Sequence, residues 1–253
     1  MTSNPLFSPT GLAAALLLAC VLPGFGAALR GWISSREAWL IACAVLATFS
    51  SAAGLNELHL VAKPLTMLLA LYTVARAPEA GTGRGWLLAA LAGSLVGDCF
   101  LMVEGFFIPG LVSFLLAHLA YIVLLRQDAP WFPRRAALAA TLGVGAAMYA
   151  FLWAGGLPAA LRLPVAVYVA VIALMAAQAL GRAAALPSRS TLLIAVGAGC
   201  FMLSDALLAS NKFVQPLPLA QLWVLGSYYA AQLLIVGGWL RGAGTRPAKA
   251  PAA

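Results

Sequence analysis

Two aspartates stand where aspartates are expensive. Asp98 lies in the apolar run SLVGDCFLMVEGFFIPG and Asp205 in FMLSDALLASNKF. The other five of the seven acidic residues fall in connections between apolar runs or at their edges. His118, one of only two histidines, shares the apolar setting of the aspartates. An ionisable group at the centre of a membrane helix costs on the order of 2.5–3.5 kcal/mol, so a functional reason for it is the default. Two carboxylates in unlike surroundings do acid–base work. One keeps its proton and donates it, and the other stays ionised and stabilises positive charge. The plainer readings are a helix cap or a structural pair between helices.

The segments carrying the two aspartates echo one another. GDCFLMVEGFFIP and SDALLASNKFVQP align without gaps. Each reads small–Asp–x–x–Leu, then Phe eight residues after the aspartate and Pro eleven after it. Tyr121 and Tyr228 each follow their aspartate by twenty-three residues. The copies are four apolar segments apart, an even number, so they run parallel. That implies a parallel four-plus-four internal repeat about an axis along the membrane normal.

The elements that hold these groups follow from composition. The 253 residues are 63% hydrophobic and 9% charged, with a mean hydropathy of +0.97. Ordinary soluble usage is about half apolar and a quarter charged, so a soluble domain is excluded. The fold class is all-α, a polytopic transmembrane helix bundle of about nine helices. Apolar runs long enough to span a bilayer occur at 10–29, 37–54, 60–77, 85–103, 107–125, 135–154, 162–181, 190–209 and 217–240. Residues 1–9 form an N-terminal tail, 10–240 the bundle and 241–253 a disordered tail. The first segment reads as a retained helix, because the residues before it carry no positive charge.

Orientation follows from the basic residues. With the N-terminus outside, twelve of the fifteen Lys and Arg residues fall in inside connections or the C-terminal tail, and only Lys63, Arg162 and Lys212 lie outside. This argues for a membrane location, the inner membrane of a bacterium, and accounts for the net charge of +8 without a nucleic-acid partner. The four cysteines sit singly in apolar runs and read as small buried hydrophobes.

The same topology puts Asp98 and Asp205 at nearly one depth, a few residues below the outer face. Lys63 opens its helix on that side. His118 and Tyr121 lie deeper, Tyr168 in the outer half of its helix, and Tyr228, Tyr229 and Gln232 mid-span. Asn211 and Lys212 lie at the outer mouth. A bundle closing around these groups encloses a polar cavity. The Gly93-x-x-x-Gly97 pair beside Asp98 allows close helix packing.

The motifs KPLTMLLAL, SLVGDCFLM, FLLAHLAYI, VYVAVIALM, FMLSDALLASNKF and SYYAAQLLI, spread over residues 60–235, resemble those of the YhhN-type lysoplasmalogenase family, in the family's order. The resemblance implies a compact core of about eight membrane helices plus one N-terminal helix here. It implies hydrolysis of the vinyl ether bond of lysoplasmalogens (alkenyl-glycerophosphocholine or -ethanolamine) to a fatty aldehyde and a glycerophospho-headgroup. Lys63, Asp98, His118, Tyr168, Asp205, Asn211 and Tyr228 match motif positions.

A vinyl ether yields to acid. Protonation of its β-carbon gives an oxocarbenium ion, water captures the ion, and the hemiacetal collapses. Two carboxylates supply the acid and the counter-charge, as in glycosidases. Asp98 and Asp205 are therefore the expected catalytic residues, without an assignment of which is the acid. Lys63 is expected to pair with the lipid phosphate, His118 to bond a carboxylate or a substrate oxygen, and Tyr168, Asn211, Tyr228, Tyr229 and Gln232 to support binding. The expected partner is a lysophospholipid in the bilayer, and no metal or other cofactor is called for. A zinc hydrolase needs about three histidine ligands or their equivalents, and only His59 and His118 exist. A proton-coupled or small-molecule transporter is the alternative, since paired intramembrane acids and parallel repeats suit that class as well.

Overall fold

The computed structural model describes residues 35–243, and these are helical almost throughout. Eight α-helices follow one another: α1 Ser35–Ala52, α2 Asn56–Ala75, α3 Arg84–Leu101, α4 Phe107–Leu125, α5 Arg135–Ala154, α6 Ala159–Ala185, α7 Arg189–Phe213 and α8 Ala220–Ala243. Each lies within about a helical turn of an expected span. The expected first span, 10–29, lies outside the described residues. Seven helices, α2 to α8, are long and apolar enough to cross a membrane, while the apolar part of α1, Ala38–Ala52, is shorter. The chain is an integral membrane protein.

Local chemistry sets the helix boundaries. The α2–α3 connection tightens into a 3₁₀ turn, Pro78–Gly83, in which Gly81 adopts φ 61°, a conformation that glycine alone adopts at little cost. α7 opens on a capping box. The Ser188 hydroxyl accepts from the Thr191 amide, and the Thr191 hydroxyl from the Ser188 amide, both at 3.1 Å, which satisfies amides that have no partner within the helix.

Neighbour contacts run α1–α2–α3–α4–α6–α7–α8 and from α8 back to α1, so seven helices close a ring. α5 stands outside it, packed on α6 and touching α7 lightly. The hairpins α3–α4 and α7–α8 are the most extensively packed pairs, as the echoed motifs imply. The equivalence breaks at the first helix of each set of four. α1 wedges into the ring between α8 and α2, whereas α5 is left on its rim.

Close approach of α3 and α4 depends on two glycines. A Cβ at Gly97 would come within 2.6 Å of the Phe114 ring, and one at Gly93 within 3.1 Å of Ala117. The loop after α4 is fastened to α6. The Arg182 guanidinium donates to both oxygens of Asp128 at 2.7 and 2.6 Å. The Gln178 amide accepts from the Phe132 amide at 2.8 Å and donates to the Pro130 carbonyl at 3.0 Å. These contacts are local to the α4–α5 loop and α6, and they read as structure.

Candidate active site

Six ring helices each contribute a polar side chain to the site: Lys63 from α2, Asp98 from α3, His118 from α4, Tyr168 from α6, Asp205 from α7 and Tyr228 from α8. They sort into two clusters.

The first is centred on Asp98, which is almost wholly buried. Its Oδ1 lies 3.1 Å from the Lys63 ammonium, and its Oδ2 accepts from the Tyr228 hydroxyl at 2.6 Å. Tyr228 also reaches the Met67 sulfur at 3.4 Å. Lys63 and Met67 are four residues apart and share one face of α2. Lys63 is thus directed at Asp98 and is itself buried. Tyr229 packs against Tyr228 at 5.1 Å between ring centroids, and its hydroxyl makes no hydrogen bond among the described residues.

The second cluster is centred on Asp205. Its Oδ2 accepts from the Tyr168 hydroxyl and lies 3.6 Å from His118 Nε2. Nε2 is also 3.0 Å from the Tyr168 oxygen. Tyr168 has one proton, and it points to the carboxylate. Nε2 must therefore carry a hydrogen and donate it to the Tyr168 oxygen. His118 Nδ1 is buried with no hydrogen-bond partner among the described residues. The order is His118 to Tyr168 to Asp205. Asp205 Oδ1 accepts no hydrogen bond from any described residue.

Two phenylalanines join and separate the clusters. The Phe201 ring meets His118 at 4.7 Å and Tyr228 at 5.5 Å, both edge-on. Phe114 meets Phe201 at 6.3 Å and Tyr228 at 6.0 Å. No hydrogen bond or ion pair crosses this layer among the described residues. A third pair, Tyr121 donating to Gln232 Oε1 at 2.5 Å, lies one turn deeper.

A cavity of about 480 Å³ opens beside the second cluster. Asp205 supplies its acidic group and Tyr168 and Thr141 its hydroxyls, and its wall is otherwise almost entirely apolar. It runs between α4, α5, α6 and α7, and Val144 and Leu203, both more than half exposed, form part of its lining. It therefore opens sideways toward the lipid rather than into the ring. Along α5 the lining extends from Ala140 to Leu152 and along α7 from Gly199 to Phe213, about 20 Å at ~1.5 Å per residue. An extended chain with C–C bonds of about 1.5 Å advances about 1.3 Å per carbon, so that length takes on the order of fifteen carbons.

Seven of the nine expected site residues meet in these clusters: Asp98, Lys63, Tyr228 and Tyr229 in one, Asp205, His118 and Tyr168 in the other. Gln232 is held by Tyr121 instead. Asn211 caps the end of α7, accepting from the Leu217 amide at 2.9 Å, and does not line the cavity. Asp98 does not line it either. Phe114, Phe201 and the cavity itself escape a reading of polar residues. The available signal was helical spacing, for Phe114 lies four residues before His118 and Phe201 four before Asp205, on the same faces.

Fold and site together define a polytopic helical membrane protein whose buried acid opens onto an apolar, lipid-facing cavity. A model of the YhhN family matches residues 58–239, and the chain belongs to that family. A Mycobacterium bovis protein named lysoplasmalogenase is 35% identical over 184 residues, covering 70% of this chain and 69% of that protein. The human lysoplasmalogenases TMEM86B and TMEM86A are each 34% identical, over 61% and 60% of this chain and 63% and 68% of their own lengths. No solved structure is similar to the chain.

Proposed function

We propose that this protein is a lysoplasmalogenase that draws its substrate sideways from the bilayer and hydrolyses the vinyl ether bond by acid catalysis. The observation carrying the proposal is the long, apolar, lipid-facing cavity onto which Asp205 and Tyr168 open. A protein of the soluble phase has no use for such a wall, and an ion or a small polar solute would find no ligands along it.

In this reading the alkenyl chain lies along α5 and α7 with the vinyl ether against Asp205. Asp205 acts in its protonated form, passing the proton from Oδ1 to the β-carbon while Oδ2 stays bonded to Tyr168. The C–H bond forms as the double bond shifts to an oxocarbenium ion, and the carboxylate left behind faces that charge. Water adds to the ion and returns a proton to Asp205. The hemiacetal then expels the glycerol oxygen, which leaves as an alcohol, and the aldehyde departs along the cavity. His118 and Tyr168 orient the carboxyl group. Asp98, one aromatic layer behind Phe114, works at second hand. Its contacts with Lys63 and Tyr228 lock α2, α3 and α8 around the site. The placement of the basic residues supports an inner bacterial membrane with the cavity mouth on the outer side.

The test is aldehyde release from a lysoplasmalogen by the purified protein. The wild type releases aldehyde, and Asp205→Asn, which keeps an acceptor for Tyr168 but has no acid proton, loses about 10²–10⁴-fold in kcat with an unchanged melting temperature. Wild-type turnover in Asp205→Asn would end the proposal.

A further inference from the structure

Among the described residues, Lys212 is the basic residue placed over the aromatic rim of the cavity. Its ammonium stands 4.8 Å from the centre of the Phe107 ring and 6.0 Å from that of Phe213. These two rings meet edge-on at 5.4 Å, and both line the cavity at its outer end. Lys212 is exposed, and no carboxylate pairs with it among the described residues. Of the three basic residues that the topology assigns to the outer side, Lys63 is taken by Asp98. Arg162 is stacked on Trp153 at 4.0 Å, by the α5–α6 turn that packs against Val214 at the same end. Lys212 is thus left as the cation held by the aromatic mouth of the cavity.

We infer that Lys212 is the phosphate-recognising residue of the site, which fixes the lipid with its phosphate at the outer mouth and its chain running inward past Gly199. This rests on the proposed function and deepens it. Lys212 is seven residues beyond Asp205 on α7, about 10 Å along the axis. From an ether oxygen at Asp205, the glycerol carbons and phosphoester oxygen advance about 6 Å, and an N–H···O contact adds about 3 Å. The spans agree. The two rings also hold the lysine stem against apolar surface while its head stays in water. An ammonium is a point charge that takes a phosphate in any rotation, which suits a headgroup that differs beyond the phosphate.

The experiment measures binding to the full-length protein in detergent by tryptophan fluorescence, using two ligands that cannot be hydrolysed. One is a saturated 1-alkyl-lysophosphoethanolamine, and the other is the matching 1-alkylglycerol, which lacks the phosphate. The wild type should favour the phosphate ligand at least tenfold. Lys212→Gln and Lys212→Glu should erase that preference, Lys212→Arg should keep most of it, and alkylglycerol binding should stay constant throughout. The inference fails if the wild type shows no preference, if the preference survives in Lys212→Glu, or if both ligands weaken together. Saturable binding of inorganic phosphate alone through Lys212 would make this a site for the free anion and also overturn it. Lipid binding that behaves as expected without any aldehyde release would sink the catalytic proposal and leave this one standing.

Discussion

Neutralising Asp98 should damage the fold more than the chemistry, and one pair of variants separates the two effects. Lys63 and Asp98 face each other at 3.1 Å with side chains 9% and 3% exposed. Breaking such a pair by removing one partner strands a buried charge and costs about 3–5 kcal/mol. At about 2–4 °C per kcal/mol for a chain of this size, Asp98→Asn should lower the melting temperature by on the order of 10 °C. The double variant Lys63→Met, Asp98→Asn removes both charges at once. Its amide oxygen still accepts from Tyr228, and the methionine packs beside Met67. Neutral replacement of a buried ion pair is often without cost, so the double variant should regain most of the lost stability. If Asp98 serves only to hold Tyr228 and the three helices, aldehyde release should return as well, to within about tenfold of wild type. The assay is thermal unfolding in detergent paired with turnover at a temperature where all variants are folded. A double variant that is stable yet inactive would refute the reasoning, and Asp98 would join Asp205 in the chemistry. An Asp98→Asn single variant with an unshifted melting temperature would refute the electrostatic half.

Three further outcomes are expected. Tyr168→Phe keeps the ring but removes the donor to Asp205 and the acceptor for His118, and loss of a hydrogen bond to a charged group, worth about 1.5–3 kcal/mol, should lower kcat by roughly 10–100-fold with KM little changed in steady-state assays. Gly199→Leu projects into the cavity, where a Cβ meets nothing within 4 Å; it should fold normally and cut kcat/KM by about 10–200-fold for long-chain substrates, as crowding of an apolar pocket does, while sparing a short-chain one. Phe201→Ala empties the layer between the clusters and should cost about 3–5 kcal/mol, seen as a lower melting temperature and as activity loss from a misplaced His118.

Eight helices were legible because each is an uninterrupted apolar run bounded by charge, Gly or Pro, and the bilayer fixes both length and spacing. The clustering of the polar groups was legible for a related reason. Charges inside a membrane must find each other, so depth alone collected Lys63, Asp98, His118, Tyr168, Asp205 and Tyr228. Depth carries no azimuth, however. It set Asp98 and Asp205 at one level and could not say which neighbour each would take. The pairing was decided by ring order. α2 and α8 present Lys63 and Tyr228 to α3, while α4 and α6 present His118 and Tyr168 to α7. Lys63 therefore meets an aspartate.

The departure of α5 from the ring was equally hidden, and it has the larger consequence. In a strict four-plus-four repeat α5 would wedge between α4 and α6 as α1 wedges between α8 and α2. Instead α4 touches α6 directly, and α5 rides outside. The displaced helix walls off a space on the lipid side of α6 and α7, while the matching pocket between α1, α2 and α8 is far smaller. Two aspartates that the sequence presents as equivalents are thereby made unlike. Asp98 closes against a lysine in a packed interior, and Asp205 looks out on a cavity the length of a fatty chain. The proposed acid catalysis needs such inequality, since a proton donor must reach the substrate, and broken repeat symmetry would supply it.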